Sequence, residues 1–198
     1  ADLTLVDGQP LIWISKLYGR PLKMKVSGSD LVPTLLQAAA KEGRSVFVLG
    51  GKEDAARKAA EKIKTHYPGL VMAGALSPSM GFEKKPEEVV YIRETLKKAK
   101  PDILLACFGC PKQEKWVSEH YRDCASGVTL CAGATVDFLA GNIKRAPKIF
   151  SEHGLEWLYR FAKEPKRLFH RYFVDDMQIF RLAWKYRNAG PNRNSDVK

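Results

Sequence analysis

Short apolar runs and amphipathic stretches alternate along most of this chain. Ser45–Leu49 (SVFVL), Leu70–Ala73, Ile103–Phe108 (ILLACF) and Gly127–Ala132 (GVTLCA) predict strands. The first and third are apolar without a break, as expected of strands buried on both faces of a parallel sheet. Leu22–Val26 alternates apolar and polar residues and predicts one further short strand. Helical spacing fills the intervals. Gln9–Tyr18 has Pro10 near its start and Gly19 after its end, and Leu31–Glu42 has Asp30 as its cap and Gly43 as its stop. Lys52–His66 carries a small inner face of Ala55, Ala56, Ala59, Ala60 and Ile63. Pro86–Ala99 opens with Glu87 and Glu88 and closes with Lys97 and Lys98, the polarity that a helix dipole favours. Ser77–Lys85 reads as a polar loop. Pro111 is predicted at the first position of a helix that continues through Lys112-Gln113-Glu114-Lys115, where its missing N–H costs nothing.

Strands alternating with helices predict an α/β fold, a mostly parallel sheet with helices on both faces. In such sheets ligands bind beyond the carboxyl ends of the strands. Three small-residue turns fall there: Gly50-Gly51, Gly109-Cys110-Pro111 and Gly133-Ala134-Thr135. The helix start after ILLACF presents free N–H groups that favour an anion, typically a phosphate.

The last third has a different texture. Leu155–Ala162 and Lys166–Tyr186 predict two helices broken at Pro165, and the tail after Asn188 predicts disorder. The second helix mixes Phe169, Tyr172, Phe173, Phe180 and Trp184 with Arg167, Arg171, Arg181 and Lys185. That mixture suits a membrane interface, and equally a helix whose aromatics join the core. The organisation is then an α/β core at 1–150, a helical appendage at 151–187 and a tail at 188–198.

Charge sharpens this division. The net charge is +11, and between Lys144 and Arg187 eleven Lys/Arg face five Asp/Glu, an excess of +6. Such asymmetry points to a polyanionic partner: phosphates, nucleic acid or an anionic membrane. No apolar run approaches the ~20 residues of a membrane-spanning helix. The start, ADLTLVDG, lacks the basic and apolar regions of a signal peptide.

Several chemistries find no support. Cys107 and Cys110 have C-x-x-C spacing, but Cys107 falls inside the predicted strand and no second metal-binding pair follows, so buried free thiols are expected. The phosphate-binding signatures G-x-x-x-x-G-K-[ST] and G-x-G-x-x-G are absent, as are G-x-S-x-G and H-E-x-x-H. What remains is a nucleotide-sized cleft of helix starts with isolated carboxylates and many cations. That set suits metal-independent transfer from a nucleotide-activated donor. Cations and N–H groups would stabilise the leaving diphosphate, and a carboxylate would deprotonate the acceptor. Asp7, at a turn after Leu5-Val6, is a candidate base, although an Asp-Gly pair is more often an ordinary turn.

Six ordered blocks carry a resemblance: ADLTLVDG (1–8), KVSGSDL (25–31), VFVLGG (46–51), GCPKQEKW (109–116), AGATVDFLAGNIKRAP (132–147) and LEWLYRFAKEPKRLFHRY (155–172). Together they resemble the WecG/TagA/CpsF glycosyltransferases. The resemblance implies a Rossmann-like core with a membrane-docking helical appendage. It further implies an inverting, metal-independent enzyme that needs no cofactor beyond its UDP-sugar donor. The acceptor would be an undecaprenyl-diphosphate-linked saccharide at the inner face of the cell membrane, and the product would serve wall teichoic acid, capsule or exopolysaccharide. A homo-oligomer is compatible with it, and nucleic acid is not an implied partner. In this resemblance Asp7 matches the catalytic base. Lys25, Gly50, Gly51, Gln113 and Asp137 fall on the donor side, and Arg160, Arg167 and Arg171 on the diphosphate. Lys25 stands where the family usually has Arg, His170 where Arg is frequent, and Cys110 where Ser is common. The family normally carries several dozen residues ahead of the Ala1 block, including a Thr-x-Asn element that lines the pocket. The alternative is a non-enzymatic basic module that binds nucleic acid or membrane, distinguishable by its indifference to UDP.

Overall fold

The computed structural model describes residues 1–143, 156–163, 165–170, 173 and 177–187. Their contacts separate into two compact units. One holds the parallel sheet; the other gathers Leu5–Lys25 with the C-terminal helices.

Four strands build the sheet: β1 (Ser45–Gly50), β2 (Val71–Leu76), β3 (Ile103–Cys107) and β4 (Val128–Cys131). All pairings are parallel and the spatial order is β2-β1-β3-β4. The α/β expectation holds. β1 and β3 are central, which accounts for their unbroken apolar sequences: Val46, Val48, Leu49, Leu104 and Leu105 are fully buried. The chain leaves β1 toward β2 and later returns to β3 on the other side. The β1/β3 junction is therefore the switch point of the sheet, where ligand crevices form.

Helices cover both faces. On one, α2 (Gly28–Lys41), α3 (Ala55–His66) and α6 (Thr135–Ala140) bury Val32, Leu36, Ala59, Ile63 and Val136 against Val48 and Leu105. The alanine face of α3 packs as its pattern predicts. On the other, α4 (Pro86–Ala99) and α5 (Lys112–His120) bring Ile92, Leu96 and Trp116 onto Phe47, Leu49 and Leu104. Phe82, in a single 3₁₀ turn at Phe82–Lys84, joins this layer at 2% exposure, so the stretch expected as a polar loop contributes a core residue.

Several boundaries move for identifiable reasons. α2 starts at Gly28, because Leu31 N–H donates to the Ser27 carbonyl and makes Ser27 the cap. Asp30 instead sits in the first turn and accepts the Ser27 hydroxyl at 2.5 Å. Lys58 N–H similarly selects the Asp54 carbonyl, so α3 starts at Ala55 and not at Lys52. Pro111 is the cap of α5 and not its first helical residue, since its carbonyl accepts the Lys115 N–H.

In the second unit α1 (Gln9–Leu17) lies against α9 (Gln178–Tyr186), and α7 (Glu156–Lys163) against α8 (Pro165–His170). Pro165 opens α8, which agrees with the expected break. The strand expected at Leu22–Val26 does not form. Leu22 N–H is spent on Ser15 Oγ at 3.0 Å, and Arg20 N–H on the Ser15 carbonyl, which folds this stretch back onto α1. The tail at 188–198, Arg171 and Tyr172 lie outside the described residues.

Candidate active site

The carboxyl end of the sheet brings together three loops that follow β1, β3 and β4. Their glycines do different work. At Gly50 (φ 129°) an added Cβ would strike the backbone of Cys107, and at Gly51 (φ 79°) it would meet Ala55 Cβ at 2.7 Å and Val136 Cγ1 at 3.0 Å. Gly51 N–H donates to the Cys107 carbonyl at 3.0 Å. Ser77 Oγ donates to the Gly50 carbonyl at 3.2 Å and accepts the Ala56 N–H at 3.1 Å. The β1 loop is thus sealed by packing and by hydrogen bonds, one of them from the first turn of α3. Ser77 opens the stretch expected as a polar loop; its position directly after an apolar run is the one sequence signal that singles it out.

Gly109 (φ 87°) and Gly133 (φ 55°) contrast with this. A Cβ at either meets nothing within 4 Å, so these glycines answer to backbone conformation and border open space. Gln113 ties the two loops together. Its Oε1 accepts Gly109 N–H at 3.2 Å and Gly133 N–H at 3.0 Å, and its Nε2 donates to Glu114 Oε1 at 2.8 Å. Gln113 is 3% exposed. Two N–H donors on one side and a carboxylate on the other fix which way the amide points.

The start of α2 closes the same end. A Cβ at Gly28 would stand 3.1 Å from Thr135 Oγ1 and 3.2 Å from the Ala132 carbonyl, so only glycine admits this approach without a shift. Thr135 Oγ1 donates to the Ala132 carbonyl at 2.6 Å and firms the turn into α6. Asp137 follows in the first turn of α6, half-buried, with Oδ1 accepting Asn142 Nδ2 at 3.3 Å. Lys112 is engaged with Glu83 at 3.3 Å. Burial pushes the Cys107 thiol up to about 12, with the Asp137 charge acting in the same direction. Cys107 is buried in β3, as expected, but Cys110 is exposed in the turn after it, against the expectation that both thiols are buried; neither forms a disulfide. Among the described residues, no group of three or more His, Cys, Asp or Glu side chains could hold a metal ion.

Residues 1–193 match the glycosyl transferase WecG/TagA/CpsF family. This chain belongs to that family. A Bacillus spizizenii protein named N-acetylglucosaminyldiphosphoundecaprenol N-acetyl-beta-D-mannosaminyltransferase is 32% identical over 198 residues, which is 100% of this chain and 75% of the relative. A Bacillus subtilis protein of the same name is 29% identical over 167 residues, 84% of this chain and 63% of the relative. The chain is therefore similar to glycosyltransferases along all of its length, and to only part of theirs.

Within this WecG/TagA/CpsF chain the candidate residues fall in two groups. Gly50, Gly51, Gln113 and Asp137 gather at the carboxyl end of the sheet. Asp7, exposed just ahead of α1, and Lys25 belong to the second unit. Arg160 lies on α7 and Arg167 on α8; their side chains, and Arg171 altogether, are outside the described residues. Among the described residues no helix is long and apolar enough to cross a membrane.

Proposed function

We propose that this chain moves an N-acetylmannosaminyl or related hexosyl group from a UDP-sugar to an undecaprenyl-diphosphate-linked saccharide, with inversion and without a metal. The observation that carries the reading is its match, over its whole length, to a relative named for transfer to such a lipid-linked sugar. The geometry adds support: two open glycine loops stand at the carboxyl end of a parallel sheet, where a nucleotide diphosphate is ordinarily held.

The chemistry follows from the residue types. The Asp7 carboxylate takes the proton of the acceptor hydroxyl, whose oxygen attacks the anomeric carbon as the bond from that carbon to the diphosphate oxygen breaks. UDP leaves with the electron pair. Loop N–H groups, Lys25 and the appendage residues Arg160, Arg167 and Arg171 offset its charge. Gly50 and Gly51 form the floor of the donor pocket, while Gln113 and Asp137 stand on its nucleotide side. Exposed Phe169, Phe173, Phe180 and Trp184 on the second unit would bring the site to a lipid-linked acceptor at the inner membrane face, where cell-surface polysaccharide is assembled.

The test is a UDP-sugar panel assayed for transfer with and without EDTA, together with Asp7→Asn. The expected result is transfer that resists EDTA and is abolished in the variant, with UDP still bound. Full activity of Asp7→Asn removes Asp7 from the mechanism. Salt-sensitive nucleic-acid binding with no response to any UDP-sugar overturns the enzyme reading.

A further inference from the structure

The side chain of Gln113 is already committed before any donor arrives. Both acceptor directions of Oε1 are used, by Gly109 and Gly133, which lie on loops after different strands, four and twenty residues from Gln113. Nε2 is held by Glu114, and only 3% of the residue is exposed. A donor reaching Oε1 would have to break two hydrogen bonds and leave two backbone N–H groups to find new partners. We propose that Gln113 is a positioning residue: it sets the spacing of the Gly109 and Gly133 loops, and those loops, not the Gln113 amide, meet the donor diphosphate. This rests on the function proposed above.

Two features make the loops the better contacts. Both glycines border open space, so a phosphate can approach these loops without meeting a side chain, while the two glycine N–H groups stay on Gln113 and hold the loops in place. Both also follow neighbouring strands, β3 and β4, at the end where parallel sheets hold nucleotides. Glu114 completes the device, because its carboxylate orients the amide so that oxygen faces the loops.

The hydrogen-bond polarity offers a clean test by exchange of the pair. Gln113→Ala removes the clamp. Gln113→Glu keeps an acceptor for the two glycines but sets two carboxylates side by side. Gln113→Glu combined with Glu114→Gln restores one donor and one acceptor with their places reversed. UDP affinity is read by calorimetry, and amide exchange at Gly109 and Gly133 by NMR, on the full chain. Gln113→Ala and Gln113→Glu are expected to weaken UDP binding about tenfold, the worth of one to two hydrogen bonds, and to speed exchange at both glycines. The double variant is expected to return both readouts close to wild type. A double variant as impaired in UDP binding as Gln113→Ala overturns the proposal, because it shows that an amide donor at this position contacts UDP. Unchanged exchange in Gln113→Ala overturns the clamp itself. If Gln113→Ala does not fold, the comparison of Gln113→Glu with the double variant decides. Wild-type protein that binds no UDP-sugar removes the proposed function, and the exchange measurement still decides the clamp.

Discussion

Ser45 and Asp102 hold each other through three hydrogen bonds across 57 residues of chain. Asp102 Oδ2 accepts Ser45 N–H and Ser45 Oγ–H, each at 2.7 Å, and Asp102 N–H returns to Ser45 Oγ at 2.9 Å. The pair fastens the starts of β1 and β3, at the opposite end of the sheet from the candidate site. The Ser45 N–H and hydroxyl bonds, with a smaller contribution from the Arg44 charge, hold the Asp102 carboxyl below the usual carboxylate range. Its stabilising effect is thus present above that range and is lost as pH falls through the lowered value. Asp102→Ala is expected to lower the melting temperature by several degrees at pH 7. The gap from wild type should narrow below about pH 4. Thermal melts of both proteins across pH 3–7 check this; a gap that is constant with pH would show that the carboxylate charge contributes nothing.

The four site glycines should separate under substitution by alanine. Gly50 and Gly51 face backbone or packed side chains, so Gly50→Ala and Gly51→Ala combine a strained φ with a collision and should compromise folding. Gly109→Ala and Gly133→Ala meet open space and bear only the left-handed backbone cost of roughly 1–2 kcal/mol. Those two variants are expected to fold and to lose UDP affinity. Circular dichroism with a UDP titration distinguishes the two classes. Gly50→Ala that folds like wild type would contradict the packing argument.

The same contrast marks how far the sequence can be read. β1 and β3 announce themselves because central parallel strands must be apolar on both faces, and their runs contain no competing period. Leu22–Val26 has the alternation of a strand, but its hydrogen-bond partner is the Ser15 hydroxyl, which no period reports. Gln113 is recognisable within its motif as a candidate site residue. Its commitment to Gly133 is not, since that contact exists only once β3 and β4 are adjacent. The C-terminal aromatics show the limit most plainly. Aromatics on an amphipathic helix read alike as core or as exposed face, and the structure finds Phe169, Phe173, Phe180 and Trp184 exposed.

Thiol reactivity should rank the cysteines. Burial pushes Cys107 up to about 12 and Cys124 up to about 11, and desolvation with the nearby Glu114 charge pushes Cys131 up to about 11. The thiolate is the reactive form, so at pH 8 a thiol at about 12 is ionised to only about one part in 10,000. Cys110 is exposed and should be alkylated first by iodoacetamide at pH 8, with Cys107 and Cys124 modified only after denaturation. Mass spectrometry of partly labelled protein checks the order. Early labelling of Cys107 in the native protein would contradict its burial in β3.

The exposed aromatics of α9 bear on the proposed membrane partner. Phe180 is 46% and Trp184 65% exposed, and the Arg187 guanidinium lies 4.5 Å from the centroid of the Trp184 ring. Such rings can enter a headgroup layer while the neighbouring Arg181, Lys185 and Arg187 meet anionic lipid. Burying the half or so of each of these two side chains that is exposed contributes about 1.5–3 kcal/mol, or roughly ten- to a hundredfold in binding. Phe180→Ser with Trp184→Ser is therefore expected to reduce co-sedimentation with phosphatidylglycerol vesicles by about that factor. The melting temperature should fall by only a few degrees, because each side chain is about half exposed. Neutral phosphatidylcholine vesicles should bind more weakly, and added salt should weaken the anionic vesicles toward the same level. Binding that is unaffected by the two substitutions would place the membrane contact elsewhere on the chain. Equal binding to neutral and anionic vesicles would remove the role assigned to the cations.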